Sequence, residues 1–97
     1  MRRLRLKSSA QYDYLQAIIW YEARQTGLGR VFEAELEKLF ERIRRNPEQF
    51  PTKVPTVRKA VMPRFKYGVF FTVTADEVGV VAIYHASRNP ESLRRRL

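Results

Sequence analysis

Between residues 30 and 45 the apolar side chains Phe32, Leu36, Leu39 and Ile43 recur at intervals of four, three and four, with Phe40 widening the stripe. Glu33, Glu37, Glu41 and Arg45 occupy the opposite side. This period predicts an amphipathic helix with one buried face. Asn46-Pro47 stops it, because the residue before proline is driven out of helical geometry. Upstream, residues 9–26 carry Tyr14, Leu15, Ile18 and Tyr21 at helical spacing, and Ser8 with Gln11 offers a capping box. Gly27 supplies a left-handed stop. Gly27-Leu28-Gly29 then makes a tight reversal, and the two helices form an antiparallel hairpin with Trp20 and Tyr21 in its core and seam.

Elsewhere the period is two. Residues 2–7 place Leu4 and Leu6 on one side and Arg3, Arg5 and Lys7 on the other, the pattern of a short strand with one wet face. Residues 57–62, 67–74 and 78–85 are rich in β-branched and aromatic side chains, and Ala75-Asp76-Glu77 joins the last two as a hairpin turn. Residues 47–56 hold three prolines and no period, so they predict an ordered connection without strand or helix. The expected fold is α+β in the order β-α-α-β-β-β. A helix hairpin packs on one face of a small, mainly antiparallel four-stranded sheet, in one domain spanning residues 1–97.

A single hairpin covers one face of such a sheet, so the other must be solvated or gripped by another chain. Val69 and Phe71 point to one side of their strand and Phe70 to the other. Phe70 is either an exposed docking aromatic or a residue packed under the C-terminal tail.

Composition narrows the partners. Nineteen Lys and Arg stand against ten Asp and Glu, a net charge of +9, which attracts polyanions or acidic proteins through a salt-dependent field. The acids concentrate between Asp13 and Glu48, leaving the two ends as the basic pole. Cysteine is absent, excluding disulfides and thiolate metal sites and favouring a reducing compartment. The one histidine makes no metal site, and no cofactor is implied. No apolar run reaches the roughly 20 residues of a membrane span, and MRRLRLKSS lacks a leader's apolar core. The expectation is a cytoplasmic protein.

Several segments, in order, carry a family resemblance: a short strand, DYLQAIIWY in the first helix, IRRNP ending the second, Arg58 opening a strand, then RFKYGVFFTV and IYHASRNP. Together they resemble the RelE/ParE superfamily of toxins from bacterial toxin–antitoxin pairs. RelE-like members are ribosome-dependent endoribonucleases that cut messenger RNA; ParE-like members share the fold and poison DNA gyrase. Metal-free RNA cleavage needs an acid, a base and cations near the phosphate, for which His85, Arg88, Arg58, Arg64 and Lys66 are the candidates. RelE-like nucleases typically carry an arginine where this chain has Gly68, and often a C-terminal aromatic where it has SLRRRL. The IIWY core and the HxxRxP ending resemble the ParE branch.

The resemblance therefore implies a ParE-like toxin that binds and inhibits gyrase, with no enzymatic activity of its own, neutralised by a cognate antitoxin. The antitoxin's acidic, partly disordered segment would fold over the hairpin and the open sheet face, as a dimer or a heterotetramer. Arg58, Arg64, Lys66, Phe70, His85 and Arg88 are the candidate contacts with target or antitoxin. The alternative is a RelE-type nuclease acting on ribosome and mRNA through His85, Arg88 and Arg58. A basic nucleic-acid-binding module is a third reading, though no DNA-reading motif is visible. Each residue also has a plainer role. In that reading His85 anchors the C-terminal turn, Arg88 pairs with Asp13, Glu22 or another acid, and Arg94-Arg95-Arg96 is a mobile, solvated tail.

Overall fold

The computed structural model describes residues 2–88 and 91–97. Met1, and the Asn89-Pro90 pair that closes the IYHASRNP segment, lie outside the described residues. The elements run β1 (Arg3–Leu6), α1 (Ser8–Arg24), α2 (Leu28–Arg45), a 3₁₀ turn (Pro47–Gln49), β2 (Thr52–Val54), β3 (Val57–Val61), β4 (Tyr67–Val73), β5 (Glu77–His85) and α3 (Glu91–Arg96). The strands form one sheet in the order β1-β5-β4-β3-β2, with β1 parallel to β5 and the other neighbours antiparallel. The chain is thus α+β with a helix hairpin on one sheet face, and the sheet has five strands where the pattern predicts four.

The extra strand is β2, inside the proline-rich connection. Three residues between Pro51 and Pro55 show no alternation, yet the Lys59 N–H donates to the Pro51 carbonyl at 3.0 Å and Thr52 pairs with Arg58. Proline is tolerated there because β2 is an edge strand.

α2 follows its sequence pattern. Phe32, Leu36, Leu39, Phe40 and Ile43 are all buried against the sheet. Its start differs from expectation: Leu28 already belongs to the helix, and Gly27, at φ 89°, is its N-cap. The Glu22 carboxylate accepts hydrogen bonds from the N–H groups of Gly27 and Gly29 at 2.9 and 3.0 Å, satisfying donors that a helix start leaves open. A Cβ on Gly29 would lie 2.8 Å from the Ile18 carbonyl oxygen, so this tight reversal needs a glycine there.

α1 departs further. The expected capping box is not formed: Ser8 is already helical, Lys7 is the N-cap without a side-chain bond, and the Ser9 hydroxyl donates to the Val81 carbonyl. The helix is also rotated from its hydrophobic pattern. Ala10, Asp13 and Ala17 are the buried residues, Tyr14, Ile18 and Tyr21 are half-buried along the seam, and Leu15 and Trp20 are exposed rather than in core or seam. The cause is Asp13, whose Oδ2 accepts the Ile83 N–H at 3.0 Å and pairs with Arg96 at 2.6 Å, while Oδ1 takes a second Arg96 bond at 3.0 Å. A carboxylate held this way fixes which side of α1 faces β5.

Arg96 belongs to α3, so the C-terminal residues expected to be mobile form a docked helix. Leu93 joins Val57, Phe70, Val81, Ala82 and Tyr84 in a second small core on the sheet face opposite the hairpin. The expectation of an open apolar sheet face is therefore corrected. Phe70, expected to stand exposed or to pack beneath the tail, is 8 % exposed and lies in that second core. A register shift between Phe70 and Phe71 inserts an extra residue in β5. Val78, Val80 and Ile83 consequently face the main core, while Val81, Ala82 and Tyr84 face the second one.

Removing one partner of the Asp13–Arg96 pair strands the other. Arg96→Met is expected to lower unfolding stability by about 2–3 kcal/mol, below the range for a fully buried pair because Arg96 keeps some water contact. Chemical denaturation of Arg96→Met, Asp13→Asn and the double variant measures the coupling; additive effects would contradict it.

Candidate functional site

Two surfaces flank His85 at the end of β5. The first is α1's outward side. Tyr12, Leu15, Ile19 and Trp20 are 64 %, 49 %, 60 % and 49 % exposed, spaced to form one stripe along the helix. Beside Trp20 the stripe runs into a hollow of about 440 Å³ bounded by Asp13, Gln16, Tyr21, Tyr67 and His85. Arg24 lies over the Trp20 ring at 3.9 Å, and Tyr21 meets the ring edge-on at 5.0 Å. An apolar stripe rimmed by polar groups is the usual form of a protein-binding surface.

The second is a cleft of about 410 Å³ on the α3 side of the sheet. Lys53 from β2, Lys59 from β3, Lys66 from the β3–β4 turn and Arg88 and Arg94 from the C-terminal segment surround it, with Phe70 and Tyr84 in its lining. No acid among the described residues lines it, although Arg94 pairs with Glu91 at 3.5 Å. Arg88 lies 4.2 Å from the Tyr84 ring centroid and Lys59 is 5.5 Å from that of Phe70. Gly68 makes room for the Lys59 stem: a Cβ there would sit 2.9 Å from Lys59 Cε.

The turn that carries Lys66 is strained. Phe65 and Lys66 have φ of 74° and 57°, a left-handed conformation that costs non-glycine residues about 1–2 kcal/mol each. It is held in place by the Phe65 ring, which packs edge-on against Tyr21 at 4.8 Å and Phe32 at 5.2 Å, and by the Met62 N–H donating to the Tyr67 carbonyl. The Lys66 carbonyl in turn accepts the Ala86 N–H at 2.9 Å. The strained turn and the end of β5 are thereby tied together.

The sequence-predicted residues divide accordingly. Lys66, Phe70, His85 and Arg88 meet at the cleft. Arg64 stacks over Phe65 at 5.1 Å and is not among the cleft's lining residues. Arg58 donates to the Phe50 carbonyl at 2.6 Å and the Glu48 carbonyl at 3.4 Å, tying down the connection before β2. Its register partner is Phe71, while His85 pairs with Tyr67, so four residues or about 13 Å of strand separate the two levels. His85 Nδ1 accepts the Ser87 N–H at 3.1 Å and lies 2.9 Å from the Ser87 hydroxyl, which fixes the C-terminal turn and leaves the neutral ring's proton on Nε2. Asp13 pairs with Arg96, not Arg88, and Glu22 caps α2. Lys53, Lys59 and Tyr84 were missed because only strand register brings them together.

Three phenols are held neutral. Burial raises the pKa of Tyr14, Tyr21 and Tyr67; Tyr14 is moved furthest, because its hydroxyl also donates to the carboxylates of Glu37 and Glu33 at 2.9 and 3.2 Å.

Comparison with known proteins agrees with the geometry. The fold is shared with a solved structure: the chain superposes on the "Chromosomal ParDE TA system from P. aeruginosa" with a TM-score of 0.69 at 21 % identity, covering 88 % of this chain and 96 % of that one. Residues 4–90 match the family described as ParE toxin of type II toxin-antitoxin system, parDE, and the chain belongs to that family. It is 23 % identical over 97 residues to Toxin ParE2 of Mycobacterium tuberculosis, in strains CDC 1551 / Oshkosh and ATCC 25618 / H37Rv, covering 99 % of this chain and 92 % of each relative.

Two outcomes follow from this geometry. Stability contributed by the raised Tyr14 pKa is fully present below the ordinary phenol value of about 10 and is lost as pH climbs toward the folded value, so above about pH 10 the stability of wild type should fall more steeply with pH than that of Tyr14→Phe. Ultraviolet phenolate titration should show Tyr14 among the last tyrosines to ionise, and an ordinary titration at Tyr14 would contradict this. Lys66→Gly should leave stability unchanged or raise it by up to about 1 kcal/mol, since relief of the left-handed strain offsets glycine's entropy. Lys59→Gly, inside β3, should destabilise in the same denaturation experiment.

Proposed function

We propose that this ParE-family toxin acts by binding and inhibiting DNA gyrase and is held inactive by an antitoxin whose acidic, partly disordered segment orders on α1. The observation that carries the reading is α1's exposed apolar stripe. A chain that buries its main core fully still leaves Tyr12, Leu15, Ile19 and Trp20 in water, and Asp13 holds the helix that way. An ordering segment gains apolar contact from the stripe and charge attraction from a +9 partner. The solved structure on which the chain superposes is a ParDE toxin–antitoxin system, which supports the antitoxin partner.

Inhibition by binding is favoured over RNA cleavage by the disposition of the candidate catalytic groups. Arg58 is engaged with backbone carbonyls far along the sheet from His85, and the His85 Nδ1 lone pair is already taken by the Ser87 amide. Lys66, His85 and Arg88 share the cleft, but Arg58 stands apart from them, so the set that metal-free cleavage would draw on is incomplete there. Among the described residues no helix is long and apolar enough to cross a membrane, and the working compartment proposed is the cytoplasm, where gyrase acts.

Purified chain should suppress supercoiling by gyrase without ribosomes and leave message intact on translating ribosomes. Ribosome-dependent cutting with gyrase unaffected would overturn the reading. Separately, Ile19→Asp should weaken antitoxin binding by about 2 kcal/mol or more while leaving the melting temperature within a few degrees. Affinity should also fall as salt rises. Unchanged binding by Ile19→Asp would remove α1 as the antitoxin surface.

A further inference from the structure

The cationic cleft has an unmet need that the toxin reading does not use. Tyr84 is 4 % exposed in its lining, and its hydroxyl has no hydrogen-bond partner among the described residues. A buried polar group of this kind is costly unless something supplies the missing bond. Around it, Lys53, Lys59, Lys66 and Arg88 converge in a concave space with no lining acid to offset them. Lys66 is kept at the rim by a strained left-handed turn, and the Lys59 stem runs close over Gly68. Strain maintained at a charged rim is characteristic of ligand sites.

We propose that this cleft binds the polyphosphate of a nucleotide. Charge selects the class: a single phosphodiester carries about one negative charge and leaves most of the cleft's repulsion standing, whereas a triphosphate carries about four and cancels it. Size agrees, because about 410 Å³ is at the lower end of small-ligand pockets and too confined for a duplex. Arg88, now lying on the Tyr84 ring, is placed to turn its guanidinium to a phosphate oxygen. Val54, Val61 and Leu93 supply an apolar wall for the nucleoside. The polyphosphate has two possible sources, a free nucleotide or the 5′ end of a nucleic-acid strand. The proposal stands apart from antitoxin capture, since the stripe on α1 contributes nothing to this cleft.

The test is titration of full-length chain at low salt with ATP, inorganic tripolyphosphate and AMP, followed by amide chemical shifts. ATP and tripolyphosphate should bind, AMP at least about tenfold more weakly, with shifts at Lys66, Gly68 and Tyr84. Lys66→Gln and Tyr84→Phe should each weaken ATP several-fold, and Lys38→Gln, on the far side of the hairpin, should not. Because Lys66 is exposed, its variant keeps the test valid if Tyr84→Phe fails to fold. A 5′-triphosphate oligonucleotide that outcompetes ATP identifies a strand end as the source; ATP winning identifies the free nucleotide. The proposal is overturned by no binding of ATP at millimolar concentration, by equal affinity for AMP, by a 5′-hydroxyl oligonucleotide binding as tightly as its triphosphate, or by equal losses in Lys38→Gln and Lys66→Gln.

Discussion

One carboxylate organises this molecule. Asp13, 7 % exposed in the middle of α1, takes a hydrogen bond from the backbone of β5 and two from Arg96 at the chain's end. A buried charge needs this many partners to be tolerated, and meeting the need leaves α1 a single rotation against the sheet. The small residues Ala10 and Ala17 then face inward beside it, letting the helix lie close to β5, and the larger apolar side chains Tyr12, Leu15 and Ile19 are turned to solvent. By the same contact α3 is drawn across the opposite sheet face, where Leu93 buries Tyr84 and Phe70 and bounds the cationic cleft. Both candidate surfaces thus descend from one polar anchor.

This arrangement separates two candidate surfaces of different chemistry. The α1 stripe is apolar and flanked by few charges, suited to a partner that buries surface. The cleft is cationic and concave, suited to compact anions. His85 sits between them, bordering both hollows while its own ring is occupied in holding the turn after β5 and meeting Tyr67 edge-on at 5.3 Å. The aromatic group of Tyr21, Phe32, Phe65 and Tyr67 packs together near that boundary.

The parts legible in the sequence are those with a strong period. α2 shows its buried face outright, and β4 and β5 stand out through their β-branched and aromatic runs. α1's existence was legible but its rotation was not, because its buried face is made of two alanines and an aspartate, which carry no hydrophobic signal. β2 was hidden by flanking prolines and by being only three residues long, and α3 by having Leu93 as its one buried side chain among arginines. Of the site, Lys66, His85 and Arg88 were legible through the resemblance, and Phe70 through the alternation in its strand. Lys53, Lys59 and Tyr84 depend on pairings across β2, β3, β4 and β5, and the Asp13–Arg96 pair spans 83 positions, distances at which local pattern says nothing.

The central claim is that Asp13 turns α1's apolar side outward as the surface a second protein covers. Hydrogen–deuterium exchange of the unmodified chain, free and bound to its antitoxin, tests it directly. Bound antitoxin should slow exchange along α1, most strongly around residues 12–20. Protection confined to α3 and the cleft, with α1 exchanging as in the free chain, would contradict the account.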